Sequence, residues 1–302
     1  DVSLPTALLV SGEGLTLPVI VLHGVHPGPT VWLSAAVHGD ELNGVEIIPR
    51  VVAQLDPATL RGTVLAVPVV NVHGFIAGSR YLPDRRDLNR CFPGSASGSL
   101  ASQIAHTFMT EVVSKADVGI DLHTGSEHRS NLPQIRANLD DEQTAELAEA
   151  FGAPVMLHAK TLDGSLRRAA ASAGVAALLY EAGEAWRFDE TCIQTGVSGV
   201  LRVLAATGLI DPLVPEAPKP LRSPRSTWMR APRSGVFHSR YELGDRVQKG
   251  QLLGTVDTTL GSRLGQVKAR IDGLVIGCTN NPLVNRGDAV VHLAELPAKD
   301  PV

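Results

Sequence analysis

Cysteine is scarce in this 302-residue chain, and its three copies, Cys91, Cys192 and Cys278, lie far apart. An odd, scattered set argues against a disulfide framework, and a reducing cytoplasm is the expected location. No uninterrupted apolar run reaches about 18 residues, so no membrane-spanning helix is expected. The N-terminus also lacks a charged segment followed by an apolar core, the pattern of a secretory signal. Positive charge is not in excess: 27 lysines and arginines face 31 aspartates and glutamates, for a net charge of −4. That leaves no bulk basic field to attract nucleic acid or an anionic membrane. The composition is 44% hydrophobic and 19% charged, that of a globular protein long enough for one domain of roughly 200 residues plus a smaller one.

The feature richest in chemistry is His38-Gly39-Asp40-Glu41, which follows the mostly apolar run Val31 to Val37 and is answered far downstream by Asp121-Leu122-His123-Thr124-Gly125. Two imidazoles and one carboxylate suit a catalytic Zn²⁺, which takes three protein ligands and leaves a fourth position for water. No fourth ligand is evident beside them, which argues against a closed structural site. Only two residues separate His38 from Glu41, so a loop or a first helical turn can aim both at one ion. Gly39 lets the backbone turn there without a Cβ clash. Val31 to Val37 and Val118 to Leu122 read as buried strands. Both ligand sets are therefore expected at strand carboxyl ends, where open α/β sheets place their crevices.

Residues up to about Pro29 read as strands and turns, with a strand over Leu17 to Leu22 and a turn cluster over Gly24 to Pro29. From Val31 to about Ile210 strands alternate with helices. Helices are predicted over Val45 to Leu55, where Pro49 implies a kink or a late start, over Ala101 to Lys115, over Asp140 to Phe151, and within Glu190 to Gly208. Further strands are predicted over Gly62 to Val70 and Val175 to Tyr180. The expected architecture for residues 1–212 is α/β, a mostly parallel mixed sheet flanked by helices, with N-terminal strands inside 1–30. Four prolines mark 213–227 as a linker.

From 228 to 302 helical periodicity disappears, glycines recur and short Val/Leu/Ile runs dominate, which predicts a small all-β module. It is internally duplicated: Ser234-Gly235-Val236-Phe237 precedes Leu243-Gly244-Asp245-Arg246-Val247, and Asp272-Gly273-Leu274-Val275 precedes Arg286-Gly287-Asp288-Ala289-Val290. It resembles the lipoyl or biotinyl type of barrel-sandwich module. Where such a carrier presents its lysine the chain reads Asp257-Thr258-Thr259-Leu260-Gly261, and Lys268 falls in the following strand, so no carrier modification is expected.

Between the two ligand motifs lies Arg80-Tyr81-Leu82-Pro83-Asp84-Arg85-Arg86-Asp87-Leu88-Asn89-Arg90. Proline, aspartate and asparagine among the arginines make this a polar loop. A guanidinium holds a carboxylate through paired hydrogen bonds, and a second can stabilise an oxyanion that develops at an attacked carbonyl.

With these three motifs the chain resembles the succinylglutamate desuccinylase/aspartoacylase family over about residues 15 to 210, and the β module resembles the C-terminal domain of many bacterial members. The resemblance implies a zinc carboxypeptidase-like fold and a zinc-dependent amidohydrolase with one Zn²⁺ per chain, held by His38, Glu41 and His123. It implies Asn89 and Arg90 as binders of the substrate carboxylate and Arg80 as the group that polarises the carbonyl. The gap from Arg80 to Asn89 is longer than in aspartoacylase, so Arg86 is expected to share or take over that role.

A general base must also carry a proton from water to the leaving amine, which suits a carboxylate. Glu181 and Glu184, after the Val175 to Tyr180 strand, both qualify by spacing; the resemblance favours Glu181. Asp121 is a reasonable hydrogen-bond partner for a ligand imidazole, although a strand can also turn it away. His128 is a weaker candidate for the pocket, and Arg129, Arg136, Arg167 and Arg168 stay open between pocket and solvent. The expected reaction removes an acyl group, acetyl or succinyl-like, from an N-acylated amino acid or related small carboxylate. The rivals are a metallocarboxypeptidase acting on peptides and a zinc-binding protein without activity. The expected partner is a small molecule, with no nucleic acid and no membrane; homo-oligomerisation stays open.

Overall fold

Apolar residues at alternate positions of the central strands build two cores on opposite faces of one sheet. The computed structural model describes residues 1–8 and 11–297. Its first part contains β1 (Val2–Leu8), β2 (Gly14–His23), β3 (His26–Ala35), α1 (Asn43–Val52), β4 (Arg61–Val67), α2 (Val72–Ala77) and α3 (Leu100–Glu111). Next come β5 (Val118–Gly125), β6 (Arg129–Ala137), α4 (Glu142–Phe151), β7 (Val155–His158), α5 (Leu166–Ser172), β8 (Ala176–Glu184) and α6 (Glu190–Ala206). The remainder is all strand: β9 (Leu221–Ser223), β10 (Ser226–Arg230), β11 (Gly235–Ser239), β12 (Arg246–Val247) and β13 (Leu252–Asp257). It ends with β14 (Arg263–Lys268), β15 (Gly273–Thr279), β16 (Leu283–Val284) and β17 (Ala289–Glu295).

Strands β4, β3, β5 and β8 lie side by side and parallel. The first core takes Val31, Leu33 and Ala35 of β3 with Val118, Ile120 and Leu122 of β5 against α1, α4 and α6. Side chains two apart point to the same face. Trp32 therefore faces the other way, into the second core, edge-on to Phe108 of α3. Gly119 makes that possible: a Cβ there would stand 1.9 Å from the Trp32 ring. The sheet is mixed, because β2 runs antiparallel to β4 and β6 antiparallel to β8. A separate antiparallel sheet, β14-β13-β11-β16, completes the C-terminal part. There the duplicated Gly-Asp turns, at Gly244 and Gly287, both have positive φ. The β13/β14 hairpin turns through Thr258 to Ser262, and Lys268 ends the second strand.

Three local expectations change. Gly24 to Pro29 is not simply a turn, since β3 begins at His26; the ladder shifts between His26 and Thr30, and Pro27 and Pro29, which cannot donate, fall in that irregularity. Helix α1 starts at Asn43 and runs through Pro49 rather than beginning after it. The proline-rich stretch 213–227 contains β9, which pairs with β7, and the first residues of β10. The large sheet does not stop at β6, either. It continues antiparallel into β15, then β17 and β10, so one backbone ladder runs from the α/β part into the β module.

Candidate active site

His38 lies three residues past the end of β3, where the Glu41 N–H donates to the His38 carbonyl at 3.2 Å and folds the motif into a tight turn. Gly39 serves this turn by close approach, not by a left-handed φ: a Cβ would collide with the α2 backbone, 1.9 Å from the Gly74 carbonyl carbon. His123 is still within β5, two positions after Asp121 and so on the same face. The structure brings His38, Glu41 and His123 together in a buried cluster, one ligand atom from each within 4.8 Å of the others.

Each imidazole has a carboxylate behind it. Asp121 Oδ2 sits 2.7 Å from His123 Nε2 and Asp87 Oδ1 3.2 Å from His38 Nε2. Asp121 is fixed in turn by Ser34 Oγ, which donates to its Oδ1 at 2.6 Å. If those Nε2 atoms carry the protons, both Nδ1 lone pairs face Glu41, at 2.8 Å for His38 and 2.7 Å for His123. Lone pairs set against a carboxylate at such distances require positive charge between them, from protons or from a metal. Two imidazole nitrogens and a carboxylate oxygen fit Zn²⁺. The same charges set the acid–base behaviour. Burial would raise the Glu41 pKa, but His38 and His123 hold it well below the usual carboxylate range. Burial would lower the His123 pKa, and Asp121 and Glu41 raise it well above the ordinary value instead.

The cluster opens into a cavity of about 340 Å³. Arg80 enters it with its guanidinium already anchored, Nη1 donating to Glu41 Oε1 at 3.2 Å and Nη2 to Asp87 Oδ2 at 2.9 Å. Asp87 also caps the helical turn Leu88–Arg90 by accepting from the Asn89 N–H. Asn89 and Arg90 both line the cavity. Asn89 Oδ1 accepts from the Leu166 N–H at 2.9 Å, which ties the loop to the start of α5 and leaves Nδ2 as the donor of that side chain. Arg86 does not reach the cavity. It is exposed and pairs with Asp84 at 3.5 Å, because the turn closed by Arg85 N–H to the Leu82 carbonyl points it outward. Its expected share in the chemistry is corrected accordingly.

Glu181, registered beside His123 on the neighbouring strand, lines the cavity. Glu184 does not: it is buried elsewhere, accepting from Asn280 Nδ2 at 2.8 Å, with Arg187 at 3.4 Å. His128 stands with Glu184 rather than with the His38-Glu41-His123 cluster. Of the four open arginines, Arg136 and Arg167 face the cavity. Burial and the neighbouring Arg136 lower Arg167 to about 10, so it stays charged at neutral pH. Arg129 lies over the Trp228 ring, and Arg168 is exposed near Asp163.

Sequence reasoning missed Asn131, whose Nδ2 donates to Glu181 Oε2 at 2.6 Å, and Trp228, a wall residue supplied by β10. It also missed the hold of Asp87 on His38, although Asp87 opens the Asp-Leu-Asn-Arg run. With Arg80, Arg90, Arg136, Lys160 and Arg167 around Glu41, Asp121 and Glu181, the cavity lining carries more cations than anions.

The model of the succinylglutamate desuccinylase/aspartoacylase catalytic domain matches residues 27–207. The chain belongs to this family. It is therefore a deacylase, a hydrolase of amide bonds. It is 29% identical over 283 residues to the N-alpha-acetyl-L-2,4-diaminobutyric acid deacetylase of Halomonas elongata, across 89% of this chain and 83% of that relative. A succinylglutamate desuccinylase/aspartoacylase from Rhodobacter sphaeroides superposes with a TM-score of 0.87 at 28% identity, covering 98% of this chain and 94% of that one. The product-bound ectoine utilization protein EutE (DoeB) from Ruegeria pomeroyi gives 0.87 at 26% identity, covering 97% and 93%. No helix among the described residues is long and apolar enough to cross a membrane.

Proposed function

We propose that this member of the family is a Zn²⁺-dependent amidohydrolase that removes an acetyl or succinyl-like group from an N-acylated amino acid or related small carboxylate. The observation that carries this reading is the buried His38-Glu41-His123 cluster opening into the same cavity as Glu181 and the guanidinium groups. His38, Glu41 and His123 would hold one Zn²⁺ per chain, which would supply Lewis acidity toward an acyl carbonyl and a water in the cavity. Asn89 and Arg90 hold the substrate carboxylate, and Arg80, whose orientation Glu41 and Asp87 fix in advance, faces the oxygen on which charge develops. Glu181 takes the proton that water loses and returns one to the leaving nitrogen. The amide C–N bond breaks, a C–O bond to water forms, and a carboxylic acid and a free amine leave.

The acetyl option has the support of the Halomonas elongata relative, named for N-alpha-acetyl-L-2,4-diaminobutyric acid. The small cavity, with Trp228 of β10 in its wall, favours a compact substrate over a peptide. Metal analysis followed by an amine-release screen of N-acetyl, N-succinyl and N-formyl amino acids beside short peptides tests the reading. Zinc near one equivalent with release from an N-acyl amino acid is expected; cleavage of peptides alone would overturn it in favour of a carboxypeptidase. The three free cysteines suit the proposed cytoplasmic location.

A further inference from the structure

The carboxylate of Glu181 is held from the neighbouring strand. Asn131 of β6 donates Nδ2 to Glu181 Oε2 at 2.6 Å and is itself only 5% exposed. Its backbone is clasped on both sides, in register with Gly183 of β8 and with Gly277 of β15. Gly277 is what leaves room for the side chain: a Cβ there would lie 3.0 Å from Asn131 Oδ1 and 3.1 Å from the His292 Cβ. Three residues along β6, Gln134 Nε2 donates to the Ile276 carbonyl at 3.2 Å, a second tie to β15.

With Oε2 engaged by a fixed amide, Oε1 is the oxygen of Glu181 left to accept a proton. Arg136 Nε stands 3.9 Å from Oε1 and is buried with no hydrogen-bond partner among the described residues. Hydrogen bonds to a charged acceptor are stronger than neutral ones, so the Asn131 contact restrains the carboxylate rotor while Glu181 is ionised. We propose that Asn131, clamped by strand β15 of the C-terminal module, is a positioning residue that fixes Oε2 of Glu181 so that Oε1 alone exchanges the proton with substrate. The inference rests on the reading of Glu181 as the proton carrier. It gives the module a part in catalysis that acts through Gly277 and Asn131 rather than by touching the reacting atoms.

Steady-state kinetics on the full zinc-loaded chain test it, using whichever N-acyl amino acid of the panel is turned over fastest. Asn131→Ala should lower kcat by about 10- to 100-fold, the loss of one charge-assisted hydrogen bond, with KM within about twofold. Gly277→Ala should lower kcat by a smaller factor, and in the Asn131→Ala background its effect on kcat should shrink, because the contact with Asn131 is gone and those with His292 and Trp228 remain. Unchanged kcat in Asn131→Ala, a KM that rises as far as kcat falls, or independent multiplication of the two effects would each overturn the proposal. A parallel Glu181→Gln variant separates the two readings. If it keeps near-parental turnover the proton-carrier assignment fails and takes the inference with it; an inactive Glu181→Gln beside a normal Asn131→Ala removes the inference alone. A crystal structure of Asn131→Ala gives a readout independent of turnover: the Glu181 carboxylate should occupy more than one orientation, and a single parental orientation would refute positioning.

Discussion

Replacing Asp121 tests what the carboxylate behind the His123 imidazole contributes to the proposed metal site. Asp121 is 1% exposed, accepts from Ser34 Oγ at 2.6 Å on one oxygen and faces His123 Nε2 at 2.7 Å with the other. For His123 to present its Nδ1 lone pair toward the cluster, the proton must sit on Nε2, and Asp121 is the group that keeps it there. In Asp121→Asn the carboxamide oxygen can still accept from Nε2 while its NH₂ donates to Ser34 Oγ, so the shape survives and only the charge is lost. Asp121→Ala leaves both the imidazole N–H and the serine hydroxyl buried without their partner. Partners of this kind are worth about 10- to 100-fold in metal affinity. Zinc binding is therefore expected to weaken by about tenfold (~1.4 kcal/mol) in the asparagine variant and about 100-fold (~2.7 kcal/mol) in the alanine variant. The alanine variant should also lose ~2 kcal/mol or more of apoprotein stability through the two orphaned groups. Titration of metal-free protein against a competing chromophoric chelator measures the first effect, and urea unfolding the second. An alanine variant that binds Zn²⁺ within about twofold of the parent would refute both the proton placement and the role of Asp121.

Glu181→Gln should keep its zinc and lose most turnover, on the order of 100-fold or more, whereas His38→Ala should lose the metal itself; metal analysis beside the amine-release assay distinguishes them. Gly119→Ala forces a methyl into the Trp32 ring and should cost about 3 kcal/mol, lowering the melting temperature by roughly 5 °C; an unshifted melt would mean that Trp32 packs elsewhere. His292 is pushed down to about 3 by burial and by Arg136, from an ordinary 6.5. The unfolded chain thus takes up that proton first, and stability present above pH 6.5 should fall as the pH drops toward 3, by ~2 kcal/mol at pH 5 from this group. His292→Phe should flatten the difference in urea-derived stability between pH 7.5 and pH 5 by about that amount; an unchanged pH slope would sink the assignment.

The juxtaposition of His38, Glu41 and His123 was legible because its geometry is local. An apolar run ending in His-Gly-Asp-Glu places His38 and Glu41 within one turn, and the two-residue period of a strand sets Asp121 beside His123 without help from the rest of the fold. Arg86 was misread because its direction depends on a backbone turn. Arg85 adopts φ +60, and Leu82 and Arg86 are joined by a backbone hydrogen bond at 3.2 Å, a geometry that composition does not announce. Asn131 and Arg136 were harder still, since β6 carries Pro133 and polar residues and lacks the apolar alternation by which strands are recognised. Its polarity has partners far away in the chain: Asn131 reaches Glu181 and Gln134 reaches Ile276. A buried polar strand is stable only once those partners exist, and neither can be paired from spacing.

The β module shows the same limit at larger scale. Prolines and a change of composition mark where the character of the chain alters, and the duplicated Gly-Asp turns mark the strands beyond as a β module. Neither reveals that β15 pairs with β6 at Arg129, Ser130 and Asn131. Without β15 those residues would lie on an open strand edge, with unpaired backbone groups beside the cavity. With it, the edge is closed at the residue that holds Glu181, and Trp228 is brought to the cavity wall, stacked on His292 at a centroid distance of 4.4 Å. The module that reads in sequence as a carrier domain lacking its lysine is, in the fold, the continuation of the catalytic sheet. Its contribution is carried by backbone pairing and one glycine-sized gap, which leave no motif.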